Sequence, residues 1–161
     1  MSFNAPDIRQ FKLTGATVGD VHFPKVKLLL PFDGSNGATS TTDSSNSNNS
    51  VTFVGTAQIS TAQSKFGGSS MLFDGDSDYL TVTNSSFSTL NTSGSTFTIE
   101  FWVYFSSITG DQSPVNNYSG ASGGLLINKN SSHVITANLS GSGADITGTT
   151  TVSAGQWYHI A

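Results

Sequence analysis

The chain has 161 residues, enough for one domain with its own core, but only 10% are charged against about 25% in an average soluble domain. Ser, Thr, Asn and Gly supply the polar surface instead, which makes hydrogen bonds without strong fields and suits a particle-exposed or extracellular protein touching glycan. Six cations with one arginine exclude a nucleic-acid footprint, absent cysteine excludes disulfides and thiolate chemistry, and no apolar run approaches the roughly 18 residues of a membrane helix.

The net charge of -4 is unevenly placed. Residues 1–27 carry Arg9, Lys12, Lys25 and Lys27 against Asp7 and Asp20, whereas Lys65 and Lys129 alone offset the eight acids that follow. This asymmetry marks residues 1–26 as a separate leading segment, broken by Gly15, Gly19 and Pro24. It reads as an arm or small hairpin outside the main core, or equally as a first strand of the same domain. In the arm reading, Arg9, Phe11 and Lys12 are the candidate docking residues. The stretch "MSFNAPDIRQFK" lacks the basic-then-apolar pattern of an export signal.

Next, "VKLLLPFDGSNG" reads as a short buried strand closed by Pro31 and a Gly-rich turn. From Thr39 to Ser50 every residue is Ser, Thr, Asn or Asp, side chains that compete for backbone hydrogen bonds. A mobile rim loop is expected there. Strands are then expected at Val51–Phe53, Ala57–Ser60, Ser70–Phe73, Tyr79–Thr83, Thr96–Phe105, Leu125–Asn128, Val134–Leu139, Thr149–Val152 and Gln156–Ala161. Short strands with regular turn punctuation and no helical period predict an all-β sandwich or jelly roll.

Two of these stretches raise questions of function. In "KFGGSSMLFDGDSDYLTV", Asp74, Asp76 and Asp78 fall at alternate positions. As an EF-hand start the spacing fails, because Tyr79 stands where Gly belongs and Ser85 where Glu belongs. The Asp-Gly between two strand-like runs favours a tight hairpin. Calcium on Asp74, Asp76 and Asp78, with Asp33 or Asp43 as partners, is the second reading and the one cofactor the sequence suggests. In "TFTIEFWVYF", period two puts Phe97, Ile99, Phe101, Val103 and Phe105 on an apolar core wall. Thr96, Thr98, Glu100, Trp102 and Tyr104 share the opposite face, which is either an open concave surface or the underside of a loop or second sheet.

The series "LLLPFDG", "KFGGSSMLFDGDSDYLTV", "FTIEFWVYF" and "GQWYHIA" resembles the laminin-G-like group of the concanavalin A-like jelly-roll superfamily, in the family's order, from about Lys27 to Ala161. The resemblance implies an antiparallel jelly-roll sandwich over residues 27–161. In that family the segment after "WYHIA" continues into further strands, so the domain is expected to be cut short at its C-terminal end, or closed by a neighbouring chain. The family's hydrolases set two glutamates in alternation along one strand. Glu100 is the only glutamate here, and its alternation partners are Thr98 and Trp102, so a non-enzymatic protein is expected.

Sugar rings stack on Trp or Tyr while their hydroxyls pair with amides. Trp102, Tyr104 and Tyr118, with Asn116 and Asn117, are therefore the candidate glycan-binding residues. The wording "STAQSKFGG…FDGDSDYL" also resembles laminin-G-like modules of marine tailed-phage structural proteins. That resemblance implies a virion protein of fibre, knob or decoration type. Its partners would be capsid or tail proteins, copies of itself and host-surface polysaccharide, with no nucleic acid and no membrane insertion. The alternative is a carbohydrate-binding or adhesion module of a larger secreted bacterial protein.

Overall fold

A computed structural model describes residues 20–83, 87, 96–117, 124–139 and 144–161. The described residues form antiparallel strands and one short 3-10 helix, Phe23–Lys25, so the all-β expectation holds. The proposed docking residues Arg9, Phe11 and Lys12 and the candidate Tyr118 lie outside the described residues.

The first half of the fold is one long hairpin, broken in the middle. Strand β2 (Gln58–Ser60) pairs with β3 (Ser70–Leu72) below a tip formed by residues 61–69. Further down, β1 (Val51–Val54) pairs with β4 (Tyr79–Val82) in the same antiparallel sense. Between the two ladders, residues 55–57 face residues 73–78. Strand β5 (Phe101–Tyr104) then pairs with β10 (Trp157–Ile160), while β6 (Gln112–Asn116), β7 (Leu125–Lys129), β8 (Val134–Leu139) and β9 (Ala144–Thr151) form a four-stranded antiparallel meander. The turn between β9 and β10 joins the two units, because Val152 N donates to His133 O and Gly155 N to Phe105 O.

The core follows the alternation of β7, which buries Leu125, Ile127 and Lys129 on one face. A lysine at a fully buried position needs its charge satisfied. Here Nζ donates to Ile108 O at 2.7 Å and also to Gly110 O, so the stem fills core volume and the ammonium holds the β5–β6 connection. Ile59, Ala57, Phe105 and Val152 complete the buried apolar set.

Several strand expectations change. The ten-residue strand expected at Thr96–Phe105 is observed as Phe101–Tyr104, the residues paired with β10. Of the expected core wall only Phe105 is buried, and Phe97 is exposed. Strand β6 is an addition to the expected set, and it contains Pro114. It is tolerated at the sheet edge, where the register shifts between Gln112 and Val115. Strand β9 begins at Ala144, earlier than Thr149.

The stretch Val26–Phe32 is not a ladder strand, and Leu29 in its middle is exposed. Its backbone is bound to the polar loop instead: Leu29 N donates to Asp43 Oδ1 at 2.9 Å, and Leu29 O accepts from Ser44 N at 2.8 Å. The loop expected to be mobile is built around Asp43, which is only 2% exposed. Besides Leu29, the Asp43 carboxylate accepts from Ser45 N, Ser45 Oγ, Asn49 N and Asn49 Nδ2, all within 2.9 Å. Burial pushes the carboxyl up, but the hydrogen bonds from the Asn49, Leu29 and Ser45 backbones and the Ser45 hydroxyl outweigh it and hold it well below the usual carboxylate range.

Because the folded-state value is depressed, this stabilisation is full above the ordinary value of 3.8 and is lost as pH falls below it. Asp43→Ala is expected to lower the unfolding free energy by about 3 kcal/mol through its stranded donors. In urea titrations the wild-type midpoint should fall more steeply below pH 3.8 than that of Asp43→Asn. Parallel declines would deny the carboxylate this role.

Candidate functional site

Asp74, Asp76 and Asp78 sit in the break of the long hairpin rather than at a hairpin tip. The flanking strands β3 and β4 pair with β2 and β1, not with each other, which corrects the tight-hairpin expectation. Asp74 Oδ1 accepts from the N–H groups of Asp76, Ser77 and Asp78 at 2.9–3.2 Å, folding the segment onto itself. The Asp76 N–H is the largest influence lowering the Asp74 carboxyl, against a weaker upward pull from burial and with help from Asp78 and Ser77.

Asp78 reaches across the break. Its Oδ1 accepts from Thr56 N at 2.6 Å and from Thr56 Oγ1 at 3.2 Å, and its Oδ2 from Asp74 N at 3.0 Å. These bonds replace the ladder where it is interrupted. Gly55 makes room for them: its φ is +78°, and a Cβ there would lie 2.3 Å from Asp78 Oδ1. The oxygens of Asp74 and Asp78 thus face N–H donors, and no group of three or more His, Cys, Asp or Glu gathers as a metal set among the described residues.

The aromatic residues come together instead. The β5–β10 register sets Trp102 opposite His159 and Tyr104 opposite Trp157. Each pair shares one face of the ladder, and the two pairs are about 7 Å apart along the strands at about 3.3 Å per residue. Trp102 and His159 stack with centroids 5.0 Å apart and an interplanar angle of 30°, while Tyr104 and Trp157 are tilted at 5.5 Å. Glu100 Oε2 lies 3.8 Å from His159 Nε2. The ladder's other face carries Phe105, which turns into the core against Tyr158.

The tip of the long hairpin closes one side of this face. Phe66, 69% exposed, meets Trp102 edge-on at 5.8 Å, and Lys65 Nζ stands 4.2 Å from the Trp102 ring centroid. Gly67 and Gly68, with φ of 67° and 87°, turn the chain back just behind Phe66. Trp102 itself remains 39% exposed. Of the expected glycan residues, Trp102 and Tyr104 are brought together here. Asn116 and Asn117 belong to the four-stranded sheet and its edge, where Asn117 N donates to Leu125 O and Asn117 Nδ2 to Phe87 O. Sequence reasoning missed Trp157, His159, Lys65 and Phe66. The alternation of "WYHI" was the available signal for the first two; the tip contacts had none.

Residues 74–161, over half of the chain, match the family model of the Concanavalin A-like lectin/glucanases superfamily, and the chain belongs to that superfamily. Searches of curated proteins and of solved structures find no match.

Gly55→Ala is expected to destabilise the protein by about 1–3 kcal/mol, because the new methyl strains a left-handed backbone and displaces Asp78. Thermal melts should show the loss, and calcium addition or chelation should leave the wild-type transition in place. A calcium-dependent rise in melting temperature would contradict the hydrogen-bonded account of Asp74 and Asp78.

Proposed function

We propose that the protein is a non-enzymatic carbohydrate-binding domain, and that it works at the outer surface of a virus particle. The observation that carries the binding role is the cross-strand aromatic face of Trp102, Tyr104, Trp157 and His159, on which Trp102 and His159 are exposed and Tyr104 and Trp157 half-buried. The two ring pairs give a saccharide chain successive aromatic positions to lie against, and membership of a superfamily of lectins and glucanases supports that use. The non-catalytic reading is supported by Glu100. Its ion-pair contact is His159, while hydrolysis needs two carboxyls flanking one bond.

The virion setting is supported by composition: a cysteine-free chain with 10% charged residues and a Ser, Thr, Asn and Gly surface. In this reading residues 1–26 dock on the particle and the β domain faces outward, toward host-surface polysaccharide.

Trp102→Ala is expected to weaken binding on a glycan array by about 1–3 kcal/mol, on the scale of ring stacking known from bases on aromatics. Unchanged binding would leave Trp102 as a packing residue. For the particle setting, deletion of residues 1–26 should remove the protein from purified virions. Full occupancy of the truncated protein would overturn the docking role.

A further inference from the structure

Asn36–Gly37 is the only Asn-Gly pair in the chain, and both residues are exposed. They form the middle of a turn closed by Ala38 N donating to Ser35 O at 3.0 Å, with Gly37 at φ +84°, where a side chain would be strained. The turn lies against strand β2 and the start of the tip. Gly37 N donates to Ile59 O at 2.8 Å, and Ile59 N donates to Ala38 O at 2.7 Å. Asn36 Oδ1 accepts from Thr61 N at 3.1 Å and from Thr61 Oγ1 at 3.4 Å. Residues 32–38 thus strap the tip, and Ser69 Oγ adds to the strap by accepting from Gly34 N and donating to Phe32 O.

We infer that Asn36 is a site of spontaneous modification, where the Gly37 amide nitrogen converts the asparagine to isoaspartate. The Gly37 nitrogen forms a bond to Asn36 Cγ, the Cγ–Nδ2 bond breaks, and ammonia leaves with the proton that Gly37 N gives up. Water then opens the resulting succinimide at either carbonyl, giving aspartate or isoaspartate, and nothing is oxidised or reduced. Two features favour this asparagine over the others. Glycine puts no Cβ in the path of the attack. Negative charge gathers on Oδ1 as the nitrogen adds, and the Thr61 N–H already points there, as an oxyanion donor must. Asn49, by contrast, is followed by Ser50, and its side-chain nitrogen is tied to Lys27 O and Asp43 Oδ2.

The bond from Gly37 N to Ile59 O sets the pace, because the nitrogen must leave that carbonyl before it can turn on Cγ. The reaction therefore proceeds from a locally opened strap, and its rate reads how often the strap lifts from Ile59. Isoaspartate then keeps it from closing. The chain now runs through the former side-chain carbon, one methylene longer, and a free carboxylate stands where the α-carbonyl was. Gly37 N and the oxygen that met Thr61 are displaced relative to each other, so the bonds to Ile59 and Thr61 cannot both re-form in the old register. The tip that these bonds hold carries Lys65 and Phe66 against Trp102, and its release uncovers the indole. This one-way change in the hairpin tip needs no ligand and holds whether or not the protein binds saccharide.

The test is ageing of the full chain in mildly alkaline buffer, with labelling by an isoaspartyl methyltransferase and mass mapping of the tryptic peptide that follows Lys27 and ends at Lys65. That peptide holds Asn46, Asn48 and Asn49 as internal controls. Isoaspartate is expected at position 36 several-fold faster than at any of the three, and faster as pH rises, because the attacking amide must lose its proton. Ser69→Ala removes strap bonds and should speed the conversion about fivefold, as loss of one neutral hydrogen bond from the opening step implies. Aged wild type should also show stronger acrylamide quenching of its tryptophans. Asn36→Gln, whose longer side chain closes the ring poorly, should keep the quenching of fresh protein. Conversion at 36 no faster than at the three controls overturns the site. Conversion at 36 only in urea shows that the folded strap forbids the attack, and overturns it equally. A rate unmoved by Ser69→Ala overturns the opening step, and equal quenching in aged wild type and aged Asn36→Gln overturns release of the tip.

Discussion

The bonds from Asp78 to Thr56 across the interrupted hairpin are the constraint on which the arrangement of the site depends. Residues 55–57 and 73–78 belong to no ladder, so without a cross-link the β2–β3 half would be hinged to the β1–β4 half through two single strands of chain. One carboxylate supplies that link, and Gly55 is the residue whose missing Cβ permits it. The held break and the bonds from residues 32–38 to Ile59, Thr61 and Ser69 together place the tip, and the tip carries Lys65 and Phe66 to Trp102. A turn that looks like a metal motif thus acts at a distance on the aromatic face through the stiffness of the ribbon.

The same economy runs through the chain. With few charges available, carboxylates accept from backbone N–H groups instead of pairing with lysines. Asp43 organises the polar loop and Asp74 the turn at 74–78, while Lys129 serves carbonyls in the mirror-image role. Bonds of this kind sit in or beside packed backbone and respond little to salt, whereas exposed ion pairs are screened. Charges not consumed in this way stand out, and Lys65, Glu100 and His159 cluster on one face.

Strand content was legible where period two and turn residues coincide, as at β1, β4, β7 and β8. It was not legible where a ladder ends, since alternation marks only which face a side chain takes: "TFTIEFWVYF" alternates over ten residues, and four of them pair with β10. The loop at 39–50 looked featureless because its order comes from Asp43, whose donors lie up to 14 residues away in the chain. The "DGDSD" turn was recognised as structural, but a hairpin and a ribbon break share the same local chemistry. Only the pairing of β3 with β2 and of β4 with β1 separates them. For the site, Trp102 and Tyr104 were visible from alternation on one strand. His159 and Trp157 required the register, and Lys65 required the fold.

A packing role and a binding role leave different marks on an aromatic face, and the partial exposure of this one is what the proposed binding role requires. Rings that serve packing are buried, as Phe105 is on the other face of the same strand. Trp102 is flanked by groups that are themselves exposed: Phe66 on its edge, Lys65 over its ring and His159 beside it. Exposed aromatic surface costs about 25 cal/mol per Å² relative to burial, so the fold gains nothing from displaying it. A cation placed over the indole softens that cost and keeps the face wettable, since its ammonium stays hydrated. Under the proposed binding role, a ligand that covers the rings would recover that cost, and the contacts that make the free face soluble are the ones it would meet.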